Sequence, residues 1–408
     1  LKIVVQKFGG TSVATPESRA AAYRHIERAK ADGYAVVVVV SAMGRRGDPY
    51  ATDTLLSLLD GESDGSSRGP DLRDKDLLMA CGETISAVVF AHELRKRGHQ
   101  VRVLTGGQAG IITNSDHGNA RILDIRTDTL LSILSSGEIA VVMGFQGVDD
   151  RGEITTLGRG GSDTTATALG VALQAEVVDI FTDVSGIMTA DPRLVEDARQ
   201  LTQVTYTEIC NLAYQGAKVI HPRAVEIAMQ KNIPIRVRST TSEDPGTLVT
   251  QSQHLLEHAA VLDKLVTGIA HTANVSQIRL RGEGIGTSSV FQLMAEHHIS
   301  IDFISVTPTQ VAFTVPDHLA GLAVRHLEAL GYQVDVRSGC AKVSAVGAGM
   351  MGVPGIMARI VEALAAKGIE ILQSADSHTT IWVLVDGSQL VEAVRALHQV
   401  FQLAEKDA

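Results

Sequence analysis

The sequence predicts an α/β protein with a pair of small α+β modules attached. Three observations carry this reading. Short β-branched runs without polar alternation recur through roughly the first 240 residues, the pattern of strands covered on both faces. Helix-period segments lie between them, so strand and helix alternate and a mostly parallel open sheet between helical layers follows. The last third of the chain then repeats itself once.

In chain order, the first strand is Ile3–Val5, with a helix at Pro16–Ala31. There, Thr15-Pro16-Glu17 supplies an N-cap, a proline at the first helical position and an acid in the first turn. Further strands are expected at Ala35–Ser41, Val101–Leu104, Ile139–Met143, Val177–Phe181 and Ile235–Arg238, and helices at Glu83–Lys96, Ala120–Ser135 and Thr164–Leu173. Asp60–Asp71, rich in Gly, Ser and Asp, reads as an exposed loop, and Thr240–Gly246 as the exit from a domain spanning 1–246.

In the tail, Gly282-Glu-Gly284 matches Gly347-Ala-Gly349, Ile299-Ser-Ile301 matches Ile369-Glu-Ile371, and Val324-Arg-His-Leu327 matches Val394-Arg-Ala-Leu397. The spacings are 65, 70 and 70 residues. Each copy reads strand, glycine loop, helix, strand, strand, helix, and the first adds a closing strand at Gln333–Arg337. The expected modules are 262–340 and 341–408. Two copies are too few for a solenoid but can pack side by side.

Composition narrows the function classes. With 408 residues, 45% hydrophobic and 20% charged, the chain can build several cores without a disulfide or metal staple. A net charge of −10 argues against nucleic-acid binding, which runs on clustered Lys and Arg, although a local pocket can oppose the global sign. Cys81, Cys210 and Cys340 form no CxxC pair, which argues against a disulfide framework and a thiolate zinc site. The clean apolar stretches Tyr34–Val40 and Ile139–Met143 are far short of a membrane span, and no signal peptide is visible. The expectation is a reduced, cytoplasmic protein without a membrane or nucleic-acid partner.

Three segments carry chemistry. Lys7-Phe-Gly-Gly-Thr-Ser12 follows the first strand; two glycines let the backbone approach phosphate oxygens, and lysine adds a point charge. A plain βα turn would also use Gly-Gly. No Walker A loop and no protein-kinase signature is present. Gly158-Arg-Gly-Gly-Ser-Asp163 precedes a helix, whose start offers anion-binding amides. Arg159 can grip a carboxylate with two prongs; Asp163 can receive an ammonium group, orient Lys7 or simply cap the helix. Cys81-Gly-Glu-Thr84 heads an apolar helix, so Glu83 serves either a ligand or the helix dipole. Ser41-Ala-Met-Gly44 and Gly144-Phe-Gln-Gly147 each follow a strand, where open α/β sheets bind ligands. Phe181-Thr-Asp183, Ser185–Arg193 and Gly216-Ala-Lys218 complete the polar loops.

Together these segments resemble the aspartate kinase family, within the amino-acid kinase superfamily: KFGGTS, GRGGSD, FTD, TADPR and GAKVI all stand in this sequence. The resemblance covers essentially the whole chain and is greatest to the single-function bacterial form, whose tail holds two ACT modules. It implies an amino-acid kinase fold followed by two ferredoxin-like ACT modules, and transfer of phosphate from ATP with Mg²⁺ to the L-aspartate side chain. That product, 4-phospho-L-aspartate, leads to lysine, threonine, methionine and diaminopimelate. By the resemblance, Lys7 stabilises the transferring phosphoryl group and Asp163 organises Lys7. Ser41, Glu83, Arg159, Gly160, Gly161 and Ser162 hold aspartate, Arg159 by its α-carboxylate and Glu83 by its ammonium. Lys7, Phe8, Gly9, Gly10, Thr182, Asp183, Met188, Arg193 and Lys218 fall where the family binds ATP. No protein metal-ligand set is expected. The tail implies feedback by diaminopimelate, lysine or threonine, with Gln373, Ser374, Asp376 and Thr379 as effector contacts; Asp376 reads equally as an exposed turn acid. It also implies a homodimer through the ACT modules or assembly with a short ACT-only subunit.

Two other readings compete. Val346-Gly-Ala-Gly-Met-Met-Gly352 matches the dinucleotide fingerprint GxGxxG, but the upstream copy lacks its spacing, and a glycine loop in an effector module accounts for it. A non-catalytic amino-acid sensor would leave Lys7, Glu83, Arg159 and Asp163 without a purpose.

Overall fold

The computed structural model describes residues 1–59, 70–217, 219–251, 265–282, 285–350 and 352–405. Lys218, most of the expected 60–71 loop, the 262 module start and part of the glycine loop after Arg281 therefore lie outside the described residues. Contacts divide the chain into two units. The first is Leu1–Ile187 with Gln200–Ala213 and Lys218–Val261; the second is Met188–Arg199 with Tyr214–Ala217 and Leu262–Ala408.

The first unit runs β1 (Ile3–Phe8), α1 (Gly10–Ala14), α2 (Pro16–Ala31), β2 (Ala35–Val40), α3 (Thr52–Ser57), α4 (Leu72–Lys96), β3 (Val101–Leu104), β4 (Ile111–Thr113), β5 (Ile122–Ile125) and α5 (Asp128–Ser135). It continues through β6 (Ile139–Met143), β7 (Gln146–Val148), β8 (Ile154–Thr156), α6 (Gly161–Ala172), β9 (Val177–Thr182), β10 (Gln203–Thr205), α7 (Tyr206–Tyr214), α8 (Pro222–Lys231), β11 (Ile235–Ser239) and β12 (Thr247–Thr250). Eight strands form one sheet in the order β10-β12-β11-β9-β1-β2-β6-β3. The run from β11 to β3 is parallel throughout; β12 is antiparallel to β11.

Every residue of β2 and β6 is buried, as a sheet covered on both faces requires. Phe8 and Phe181 stack across the neighbouring strands with ring centroids 4.7 Å apart, and Tyr23, Ile26, Phe90 and Leu94 from α2 and α4 join that core. Each such side chain contributes about 1.5–3 kcal/mol by leaving water. Because β1, β2, β6 and β9 are parallel, their carboxyl ends share one edge of the sheet, the edge where ligands bind in this class.

Four local expectations are revised. α4 begins at Leu72, where Asp71 caps it by accepting from the Arg73 amide (2.8 Å); Glu83 is thus in mid-helix, and the helix-dipole reading fails. The Ala120–Ser135 helix is instead β5 followed by α5. A four-stranded sheet, β5-β4-β7-β8, adds to the expected elements, because strands of three or four residues leave no periodicity to read. β12 lies beyond Gly246 and packs Thr247, Val249 and Thr250 into the interior. α4 is long and apolar enough to cross a membrane by length and composition, but half of that stretch is buried and it carries Asp76 and Glu83 inward.

In the second unit, β13 (Gly268–Arg281), α9 (Thr287–Glu296), β14 (Asp302–Thr307), β15 (Gln310–Pro316) and α10 (Asp317–Ala329) form the first copy of the repeat. β16 (Val334–Val346), α11 (Ile356–Ala365), β17 (Gln373–Asp376), β18 (Thr380–Asp386) and α12 (Leu390–Val400) form the second. Their strands make a single antiparallel sheet, β14-β15-β13-β16-β18-β17. β13 and β16 pair along nearly their whole lengths, so β16 both closes the first copy and opens the second, and the expected 340/341 division falls inside it. Each copy has its own core, and Val275, Phe303, Cys340 and Leu384 form a smaller third cluster. Ala190 and Val195, from the Met188–Arg199 excursion, belong to the core of the second copy.

Candidate active site

β1 delivers Lys7 to the open edge of the sheet. Its Nζ lies 2.6 Å from Asp163 Oδ1, and both side chains are largely withdrawn from water. Asp163 is in the first turn of α6, and its second oxygen accepts from the His221 amide (3.4 Å). A desolvated pair of this kind holds its geometry, because breaking it strands a buried charge.

Glu83 faces the same space from α4 and is 2% exposed. One oxygen accepts from the Ala42 amide (3.0 Å); the other has no hydrogen-bond partner among the described residues. Burial pushes its carboxyl up to about 8, only partly offset by the Ala42 amide. An unpaired buried acceptor is costly, so this oxygen is set to receive a donor. Arg159, on the loop between β8 and α6, pairs with no carboxylate among the described residues.

The loop glycines are demanded by space. Gly160 has φ +71°, and a Cβ there would sit 2.3 Å from the His221 ring. A Cβ on Gly10 would lie 2.6 Å from the Gly44 carbonyl and 2.8 Å from that of Ala42. The diglycine loop and the loop after β2 are therefore in backbone contact.

A cleft of about 450 Å³ gathers Lys7, Gly10, Ser41, Glu83, Arg159, Gly160, Gly161, Ser162 and Asp163. These include the whole expected substrate and catalytic set. Thr52, Asp53, Met79 and Gly118 also line it and are not singled out by sequence; Thr52, Asp53 and Gly118 stand on short or irregular segments, and Met79 lies in the part of α4 ahead of Glu83, where no motif marks it. The expected nucleotide residues divide. Phe8 is fully buried and its carbonyl already accepts from the Ser41 amide (3.2 Å), so neither its side chain nor that carbonyl is open to a ligand. The Gly9 amide already donates to the Phe181 carbonyl (3.2 Å), which removes it as a phosphate donor in this conformation and leaves Gly10 for that part. Thr182 and Asp183 stand at the end of β9, beside β1; the Thr182 hydroxyl donates to Asp183 (3.1 Å), and Asp183 pairs with Arg45. Met188 and Arg193 fall in the second unit, where Arg193 grips Asp191 through Nε and Nη2 (3.0 and 2.7 Å).

In the tail, a second cavity of about 440 Å³ is bounded by Met350, Gly352, Val353, Gly355, Ile356, Ser374, Asp376 and His378, among others. Ser374, Ala375 and Asp376 of β17 line this cavity, whereas Gln373 does not. Gln373 accepts from Gln277 (2.8 Å) and donates to the Phe303 carbonyl (2.6 Å). Thr379 stands outside the lining, its carbonyl accepting from the Gly347 amide (3.0 Å). The expected effector contacts Gln373 and Thr379 are thus engaged elsewhere.

The Amino acid kinase family profile matches residues 2–239, and the ACT domain profile matches 335–399. Aspartokinase 1 of Bacillus subtilis is 55% identical over 408 residues, covering 99% of this chain and all of that one. The chain belongs to the aspartokinase family. The aspartokinase of Geobacillus stearothermophilus is 42% identical, with 100% and 98% of the two chains covered. Among solved structures, E. coli aspartokinase III with aspartate and ADP in its R-state superposes with a TM-score of 0.78 at 26% identity, over 98% of this chain and 99% of the other. The fold expected of an aspartokinase, a parallel α/β kinase sheet followed by an ACT-type tail, is the fold found. Among the described residues no group of three His, Cys, Asp or Glu side chains is placed to hold a metal ion.

Proposed function

We propose that the cleft of the first unit carries the aspartokinase reaction, with aspartate held between Arg159 and Glu83 and the phosphoryl group transferred beside Lys7. The reaction is ATP-dependent phosphorylation of the aspartate side-chain carboxylate, under allosteric control through the ACT-type tail. One observation carries the assignment of roles. An unpaired arginine and an unpaired carboxylate oxygen share a cleft with a preformed Lys7–Asp163 pair, a complement to the two charges on the amino-acid backbone of aspartate. The nucleophile is already a carboxylate, so no strong base is needed; alignment and charge stabilisation suffice. Lys7 neutralises charge on the transferring group, and Asp163 keeps Lys7 in place. Ser41, Gly160, Gly161 and Ser162 frame the substrate. Gly10, Thr182 and Asp183 face the nucleotide; for Phe8, Lys218, Met188 and Arg193 the family position alone supports a nucleotide role. Mg²⁺ enters with ATP, bound mainly by phosphate oxygens and water, as is usual for this ion.

The tail binds an amino-acid effector at Ser374 and Asp376. Lysine or diaminopimelate is favoured over threonine because Asp376 suits a second ammonium, and E. coli aspartokinase III has been solved with lysine and aspartate in its T-state. The tail also carries homodimerisation, and the enzyme works in the cytoplasm.

The test is ADP release dependent on aspartate and ATP, with the acyl phosphate trapped by hydroxylamine. Arg159→Ala should raise the aspartate KM at least ~10-fold, with little change in the ATP KM, since a charged hydrogen-bonded grip is lost. An unchanged aspartate KM would remove Arg159 from the substrate site.

A further inference from the structure

Arg159 stands on a short loop, so its aim depends on whatever holds that loop. Two charged side chains from two different helices do so. Asp76 of α4 is completely buried. Its carboxylate accepts from the Thr156 amide (3.0 Å), the Thr156 hydroxyl (2.5 Å), the Gly118 amide (3.0 Å) and His117 Nδ1 (2.9 Å). Thr156 closes β8 just ahead of Gly158 and Arg159, and Gly118 lines the cleft. Arg223, in the first turn of α8, donates from Nη1 to the Leu157 carbonyl (2.9 Å) and from Nη2 to the Ala120 carbonyl (3.0 Å). The Ala120 amide itself donates to the Thr156 carbonyl (2.8 Å).

The strand end before Arg159 and the 117–120 loop are therefore joined to each other and gripped by an acid from α4 and a base from α8. The start of α8 also presses the His221 ring against Gly160. α4 carries Glu83 two turns beyond Asp76, so one rigid helix fixes both Glu83 and the base of the Arg159 loop. Asp76 and Arg223 themselves stand outside the cleft lining, so their influence on substrate runs through the loops they hold, chiefly the one that carries Arg159.

We infer that Asp76 and Arg223 are positioning residues that fix the reach between Arg159 and Glu83, and thereby the affinity for aspartate and its selection over the amino acid one methylene longer. This rests on the proposal that Arg159 grips the substrate α-carboxylate. With that end fixed, the length of the side chain decides whether its carboxylate meets the phosphoryl group, and misplacement by about 1 Å is enough to cost rate.

The experiment uses the full-length enzyme and measures kcat and KM for aspartate, glutamate and ATP. Arg223→Lys keeps the charge but loses the two-pronged fork. It should raise the aspartate KM by roughly 10-fold, leave the ATP KM within about twofold, and narrow the preference for aspartate over glutamate. Asp76→Asn should act in the same direction. Because removing the buried charge can unfold the chain, Thr156→Val, which exchanges one hydroxyl for a methyl and leaves Asp76 its other donors, serves as the gentler partner and should give a smaller rise of the same kind. In an Arg159→Ala background neither Arg223→Lys nor Thr156→Val should raise the aspartate KM further, since residues acting through one another are non-additive. Effects that add fully in that background, or equal rises in the aspartate and ATP KM, would overturn the inference and leave a purely structural role. Failure of the underlying substrate reading looks different: Arg159→Ala alone would then leave the aspartate KM untouched.

Discussion

The two cavities are nearly the same size, about 450 and 440 Å³, yet their walls differ in kind. The kinase cleft is lined by Lys7, Asp53, Glu83, Arg159 and Asp163; the tail cavity has one carboxylate, Asp376, and one imidazole, His378, among glycines, apolar side chains and small polar groups. The cleft lies at the carboxyl ends of parallel strands, where separate elements deliver opposed charges to one place. The tail cavity lies between a glycine loop, the start of α11 at Ile356 and the edge of an antiparallel sheet. Fixed charge suits a site that must stabilise a transition state; a softer wall suits a ligand that only shifts a balance between two states.

The largest break in that contrast should come from Lys7. Lys7→Met removes one preorganised charge, a loss of about 3 kcal/mol or more, and should lower kcat by at least ~100-fold. Lys7→Arg should not rescue it, because a planar fork replaces a compact point charge. Effector binding to the tail, measured by calorimetry, should remain. A Lys7→Met enzyme with near-normal kcat would mean that the cleft does not owe its catalysis to this charge.

Glu83 sharpens the comparison through pH. Its carboxyl, raised to about 8 by burial, is mainly neutral in the free enzyme near pH 7, whereas the substrate ammonium needs the ionised form. Aspartate binding should therefore release a proton. The aspartate KM should fall on the order of tenfold as pH rises from about 6.5 to 8. Glu83→Gln should bind aspartate less well and lose that slope. Stability runs the opposite way. The folded pKa exceeds the unfolded value, so the stabilisation is full below about 4.5 and is lost as pH rises through 8. The ligand-free wild type should melt progressively lower over that window, and Glu83→Gln should flatten the trend. A pH-independent aspartate KM in the wild type would contradict the assigned ammonium contact.

Glu83 also shows how much is legible in the sequence. Strands such as Ala35–Val40 and Ile139–Met143 can be read directly, because an unbroken β-branched run fits a strand covered on both faces and little else. The helix carrying Glu83 is legible, but its start is not: Arg73, Asp74, Lys75 and Asp76 make the first turns look like loop, although Asp71 caps them. The cleft residues that announce themselves, Lys7, Arg159 and Asp163, sit in glycine-flanked motifs. Asp76 and Arg223 do not, since their role follows from long-range hydrogen bonds that no local pattern encodes. The tail is legible as a repeat, yet the single sheet made by β13 and β16 is not, because strand order is a tertiary fact.

The smallest expected effect belongs to Asp376, and it tests the tail side of the contrast. Among the four expected effector contacts only Ser374 and Asp376 line the tail cavity, and Asp376 alone brings charge. If an amino acid with a second ammonium binds there, Asp376→Asn should raise the concentration needed for half-inhibition by roughly 5- to 10-fold, the loss of one partly exposed charged hydrogen bond. Basal kcat and both KM values should stay as they are, because Asp376 is not among the residues that line the charged cleft. Lysine, diaminopimelate and threonine are titrated singly and in pairs against both enzymes. A shift for the dibasic ligands but not for threonine would identify the second ammonium as the group that Asp376 receives. Equal shifts for all three would place Asp376 on the common amino-acid backbone instead. An unchanged half-inhibition with every ligand would return Asp376 to an exposed turn acid and move the effector to another part of the tail.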